Sequence, residues 1–213
     1  SPDLNLKDRN LRRRIFFNAE GQLLAMASAA IQRAHAEQCS IAIVGLPKKH
    51  LEYHPHYRNF SSNIEYDVLL QMAQVKFRFG ELRLQHLSAQ ADSSITSNFV
   101  NYPAQQLLWK LACWSSRGRI VDGIDLDARY QLTTLPTANT VIELPYVRKM
   151  IRTWSADPMT AADIMKYLGA AQRFVFPFMT AAWTLGWMEK QERRAAPYVS
   201  APMTLIPKNS TPS

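Results

Sequence analysis

Thr160-Ala161-Ala162-Asp163-Ile164-Met165-Lys166-Tyr167-Leu168-Gly169, continued by Gln172-Arg173-Phe174-Val175-Phe176-Pro177-Phe178-Met179 and closed by Leu185-Gly186-Trp187-Met188-Glu189, is the stretch on which the fold turns. Thr160 stands where an N-cap hydroxyl accepts from free helical N–H groups, and Asp163 holds the capping-box position three residues on. Gly169 supplies a left-handed stop. A second helix is expected from near Ala171 through Phe174, Phe178 and Ala182 to Leu185-Gly186, after which Trp187-Met188-Glu189 leaves extended. Helix, tight turn, helix and strand form a helix-turn-helix grammar.

Upstream, Pro145 suits the first turn of a helix, and Val147, Met150, Ile151 and Trp154 recur on one face of that helix. Three helices and a strand over residues 145 to 189 resemble the winged-helix modules of bacterial regulators. Ala182-Trp183-Thr184-Leu185-Gly186-Trp187-Met188-Glu189 resembles the turn of such modules into their first wing strand. The C-terminal half also resembles the PatA N-terminal (PATAN) type of signalling module. That resemblance implies a non-enzymatic scaffold that contacts a protein partner, in motility control a type IV pilus assembly motor.

A DNA reader presents polar side chains to base edges from the N-terminal turns of its second helix. Gln172 and Arg173 fit that role, whereas Phe174, Val175, Phe176, Pro177 and Phe178 do not. Phe174 and Phe178 share a face at i and i+4 and read as core, while Phe176 points elsewhere. Pro177 removes an N–H and is expected to kink or delay the helix. The plainer reading makes Phe176 a half-exposed neighbour of two core residues. The sharper one makes it an interface anchor, since exposed aromatics carry binding energy. The expected partner-binding set is then Gln172, Arg173, Phe176 and Met179, with Trp183 and Trp187 in the core. The alternative is a winged-helix transcription regulator, with Arg173 in the major groove and Lys190, Arg193 and Arg194 set against phosphates.

Toward the N-terminus, residues 1 to 10 read as a flexible lead-in, and Leu23, Leu24, Met26, Ala27, Ala30, Ile31 and Ala34 mark an amphipathic helix from Glu20 to Glu37. Ser40-Ile41-Ala42-Ile43-Val44-Gly45 reads as a buried strand. Lys48 to Asn63 reads as an irregular connection, and a second helix is expected from Asn63 or Ile64 with Tyr66, Leu69, Leu70, Ala73, Val75 and Phe77 on its apolar side. Glu81 to Leu87 alternates like a strand with one solvated face. Ser88 to Asn98 is a candidate linker, Gln105 to Trp114 a compact helix, and 117 to 142 a β-rich connector. The expected fold is mixed α+β: an α/β domain at 1–90, a helix plus β-rich connector at 91–142, a winged-helix-like domain at 143–196 and a flexible tail at 197–213.

The chain has 213 residues, 47% hydrophobic and 20% charged, a globular balance. No apolar run reaches the roughly 20 residues of a spanning helix, since Asp163, Lys166, Gln172 and Arg173 interrupt Ala161 to Met188, so no membrane insertion is expected. The net charge of +8 is spread out. Lys and Arg number 12 against 9 acidic residues in 1–100, 4 against 3 in 101–142, and 9 against 5 in 143–213. Nucleic-acid binding is thus permitted rather than demanded. Cys39 and Cys113 form no CxxC pair and read as reduced thiols in apolar surroundings, which with the absence of a signal-peptide h-region implies a cytoplasmic protein. The opening Ser1-Pro2 suggests that an upstream segment is missing.

Candidate chemistry is thin. His50, His54 and His56 beside Glu52 could bind zinc, but Pro55 breaks any helix that would converge them, so a surface turn cluster is expected. Lys48, Lys49 and Arg58 with Tyr53, Tyr57 and Phe60 could instead stack and neutralise a nucleotide. Gly45-Leu46-Pro47-Lys48-Lys49 lacks the phosphate-loop pattern, and Ser61, Ser62, Ser115 and Ser116 lack a nucleophile elbow. Asp122, Asp125 and Asp127 lack the rest of a calcium loop, and Arg117-Gly118-Arg119 reads as a basic turn that could meet a phosphate. No enzyme, cofactor or metal is expected.

Overall fold

The computed structural model describes residues 8–46, 48–87, 99–137, 140–141 and 144–191. The expected linker at 88–98, the tail at 197–213 and most of the lead-in lie outside the described residues, as do Arg193 and Arg194.

Asp8 caps α1 (Arg9–Ile15) by accepting from the N–H groups of Asn10 and Leu11. β1 (Phe16–Phe17) then leads to α2 (Leu23–Glu37), whose buried Leu23, Ala27, Ala30 and Ala34 form the expected helical stripe. Its left-handed cap, Gln38, turns the chain into β2 (Ile41–Val44). The expected irregular connection is instead a tight hairpin, β3 (Leu51–His54) and β4 (Asn59–Ser62), closed at Pro55 and Arg58. Leu51, Tyr53, Phe60 and Ser62 alternate inward, but His, Glu, Asn and Ser fill the outward positions and hide the strand period. α3 (Tyr66–Ala73) stops before Val75 and Phe77, and Phe77 N–H donates to the Gly21 carbonyl at 2.7 Å.

β5 (Arg83–His86) and β6 (Val100–Pro103) complete an antiparallel sheet of order β5-β2-β3-β4-β6. Ile41, Ile43, Leu51, Tyr53, Phe60 and Tyr102 face the helices, and Ala42, Glu52, His54, Ser61 and Asn101 lie on the opposite face.

α4 (Ala104–Ser116) is buried nearly all round because it lies between α2 on one side and α7 (Gln172–Thr184) on the other. After it come β7 (Ile120–Val121), parallel to β1, then β8 (Arg129–Leu132), α5 (Val147–Ala156) and α6 (Ala161–Leu168). Thr160 and Asp163 form the expected capping box at 3.1 and 3.2 Å, and Gly169 ends α6 at φ 61°. β9 (Met188–Gln191) follows α7 and pairs antiparallel with β8. Tyr130 also exchanges backbone hydrogen bonds with Met159, both 3.0 Å, so β8 lies between Met159 and β9.

The chain is therefore mixed α+β. Pairing crosses both expected boundaries: β6 joins a sheet built from residues before 90, and β8 joins a strand from beyond 143. An aromatic cluster holds the centre. Phe178 stacks on Trp154 at 5.4 Å and meets Trp109 edge-on at 5.5 Å, while Trp109 stacks on Trp187 at 5.6 Å. Among the described residues no helix is long and apolar enough to cross a membrane.

Candidate interaction surface

Three of the four residues expected to meet a partner are inside the protein. Phe176 and Met179 are fully buried and Gln172 nearly so, while Arg173 is exposed. Packing on two sides explains the correction. α7 meets α4 on one side and α6, β7 and β9 on others, so consecutive residues from Val175 to Ala182 are all buried. One core could not take three alternate aromatics, but two flanking layers can. Phe174, expected in the core, is the partly exposed member, and Trp183 is half-buried while Trp187 is buried. The helix runs through Pro177 from Gln172, neither delayed nor ended there.

Around Arg173 the chain assembles a basic and aromatic surface. Its guanidinium lies 4.9 Å over the Phe174 ring, which is 6.1 Å from the ring of Tyr146. Lys149 Nζ lies 5.9 Å from the Tyr146 ring. The turn after α4 closes against the same place: a Cβ at Gly118 would sit 3.4 Å from Arg173 Cβ, in ordinary contact, and the turn's φ of +79° there is the left-handed conformation that favours glycine. That turn carries Arg117 and Arg119, the latter 5.4 Å over the Phe17 ring. Arg117, Arg119, Lys149 and Arg173 form no ion pair among the described residues. Four such cations, three of them resting on aromatic rings, suit an anionic or acidic partner. Phe174 and Tyr146 were missed in the sequence as parts of this surface. The available signal was Arg173-Phe174 at the exposed start of α7.

The wing residues of the alternative reading are differently placed. Lys190 Nζ donates to Asp125 at 3.0 Å, and a groove of about 980 Å³ beside it is lined by Asp125, Asp127 and Asp163 as well as Arg129. The hydrogen bond from Lys190, with one from the Asp127 backbone, holds the Asp125 carboxyl below its ordinary range. Asp127 is paired with Arg12 at 2.7 Å. The groove offers phosphates no free cation from Lys190.

The histidine cluster spreads along the outward face of the sheet. Glu52 stands between His50 at 3.9 Å and His54 at 4.0 Å. Burial pushes the His54 imidazole below its ordinary value, with Glu52 pulling the other way. Tyr53 and Phe60, named as base-stacking candidates, are buried, leaving Tyr57 exposed. Ser115 is buried and donates to the Ala73 carbonyl, a structural role. Among the described residues, metal-type donors come together instead at Glu37, Cys39 and His86.

Compared with family models, with curated proteins and with solved structures, the chain matches none.

Proposed function

We propose that the chain is a non-enzymatic adaptor of bacterial regulation that binds an acidic segment of a partner protein through the exposed start of α7. The binding residues are Arg173 and Phe174, flanked by Tyr146, Lys149, Arg117 and Arg119. α5, α6, α7 and the β8–β9 pair serve as a winged-helix-like module, and a pilus assembly motor in the cytoplasm is the partner that the resemblance implies. The observation that carries this reading is the set of four cations at one end of α7 that form no ion pair among the described residues, three of them over aromatic rings. Arginine and aromatic residues are the usual anchors of protein interfaces. Burial of Phe176 and Met179 favours a surface led by Arg173, and the Asp125–Lys190 pair weighs against a phosphate-binding wing.

The test is site-specific photocrosslinking. A benzoyl-phenylalanine at position 174 should capture a partner that Arg173→Glu loses and Lys190→Glu keeps. An anchor worth about 2 kcal/mol corresponds to roughly 30-fold weaker binding. Binding of a random 30-mer duplex that falls steeply with salt and is lost in Lys190→Ala would refute the adaptor reading in favour of DNA.

A further inference from the structure

α2, the β3–β4 hairpin, the start of α4 and the end of α7 surround a cavity of about 500 Å³, at the end of α7 opposite to Arg173. Ile31 and His35, one helical turn apart, line it from α2, Leu108 from α4 and Leu185 from the C-cap of α7. Tyr53 lines it from β3 and Arg58 from the hairpin turn. That turn is pinned from both sides. The Arg58 N–H donates to the Pro55 carbonyl at 3.3 Å, and the Arg58 carbonyl accepts from the Ala104 N–H at 3.0 Å, which holds the residue between the sheet and α4.

The lining selects a class of ligand. Ile31, Leu108 and Leu185 offer an apolar surface suited to the body of an organic molecule. Arg58 forms no ion pair among the described residues, and no carboxylate lines the cavity. A divalent cation therefore finds no ligand and is repelled, whereas a carboxylate meets a guanidinium whose paired donors match its two oxygens. One arginine balances a monoanion, and a phosphate ester of nearly two charges calls for more.

The buried Tyr53 supplies a second donor. Its hydroxyl lies 3.0 Å from His35 Nε2. With the imidazole proton on Nε2, the ring donates to the phenol oxygen and leaves the phenol O–H free to donate to a ligand. Burial raises the Tyr53 phenol above its ordinary value, with the Arg58 charge pulling the other way, so the hydroxyl keeps its proton. We infer that the cavity binds a small amphipathic carboxylate. Its head is held by Arg58 and the Tyr53 O–H, and its apolar chain lies against Ile31, Leu108 and Leu185.

The experiment titrates the native full chain with sodium octanoate at pH 7 and follows backbone amide signals by NMR, with octan-1-ol and octylamine as neutral and cationic counterparts. Octanoate should saturate with a Kd below about 1 mM and move the signals of Ala104, Gln105 and Leu185 rather than those around Arg173. Octan-1-ol should bind about tenfold more weakly or worse, and octylamine should leave these signals in place. Arg58 is exposed, so its replacement spares the core: Arg58→Ala should weaken octanoate about tenfold or more, and Arg58→Lys by less. Tyr53→Phe keeps the ring and should weaken it about tenfold, with Tm checked by circular dichroism. Octan-1-ol binding as tightly as octanoate, an Arg58→Ala protein that binds unchanged, or shifts confined to other parts of the chain overturns the proposal. So does a lack of saturation up to about 10 mM octanoate.

Discussion

Replacing Phe176 with Asp is expected to unfold the protein rather than to disarm a surface. The ring is fully buried in α7, between layers contributed by α4 on one side and by α6, β7 and β9 on others. Truncation to Ala alone leaves a cavity and costs about 3–5 kcal/mol. Asp adds an ionised carboxylate in an apolar site at several further kcal/mol. The total rivals the roughly 5–15 kcal/mol by which a folded protein is stable. Phe174 is two residues away and partly exposed, so Phe174→Asp should cost about 1 kcal/mol or less. Thermal and urea unfolding followed by tryptophan fluorescence and far-UV circular dichroism separates the cases. For a chain of this length 1 kcal/mol moves Tm by roughly 2–4 °C, so Phe176→Ala should fall by roughly 6–20 °C. A Phe176→Asp protein that still unfolds cooperatively within about 4 °C of wild type would refute the packing argument and return Phe176 to the surface.

Thr160→Ala should lose about 1 kcal/mol, because the hydroxyl that accepts from the Asp163 N–H goes while the backbone N–H of residue 160 keeps its bond to the Asp163 carboxylate; denaturant midpoints check it, and Thr160→Ser should recover most of the loss. Asp125 should titrate below an ordinary aspartate in a carbon-detected NMR titration, and Lys190→Met should move it back up, because the hydrogen bond from Lys190 is the leading cause of its shift. Its depressed value means that any stability it lends is present above the unfolded carboxyl range and is lost as pH falls through the folded value. His54 should titrate below an ordinary imidazole by proton NMR, and Glu52→Gln should lower it further, because the carboxylate supports the charged form against burial. For His54 stability falls as pH drops from the unfolded imidazole value toward the lowered folded one, since the unfolded chain then binds the proton first.

Local chemistry was legible where one feature decides the conformation. The Thr160–Asp163 box, the Gly169 stop, the α2 stripe and the short strand from Ile41 all derive from spacing or from a cap, and all stand where expected. The β3–β4 hairpin was not legible, because its outward residues are His54, Asn59 and Ser61, types that also populate turns, and only Leu51, Tyr53 and Phe60 betray the alternation. The orientation of α7 was missed for a tertiary reason. Periodicity assigns one buried stripe to a helix, and α7 has neighbours on several sides, so Phe176 and Met179 went to the wrong face. Cys39 and His86 lie 47 residues apart, and nothing in the sequence pairs them until β5 is seen to take the edge beside β2.

α4 and β8 tie the two ends of the chain together in ways that domain boundaries drawn on the sequence would cut. α4 covers α2 with one side and α7 with the other, and its Trp109 enters the aromatic cluster with Phe178 and Trp187. β8 precedes the three C-terminal helices in sequence yet supplies the strand between Met159 and β9. A fragment beginning at residue 143 would leave backbone groups of Met159 and β9 without their partners and expose one side of α7. Burying unpaired polar backbone and baring apolar helix both cost free energy, so such a fragment lacks the means to hold α7 in place. The Arg173–Phe174 surface therefore owes its geometry to residues from both halves: Gly118 after α4 sets the approach of the chain to Arg173, and Tyr146 at the start of α5 sets the ring beside Phe174.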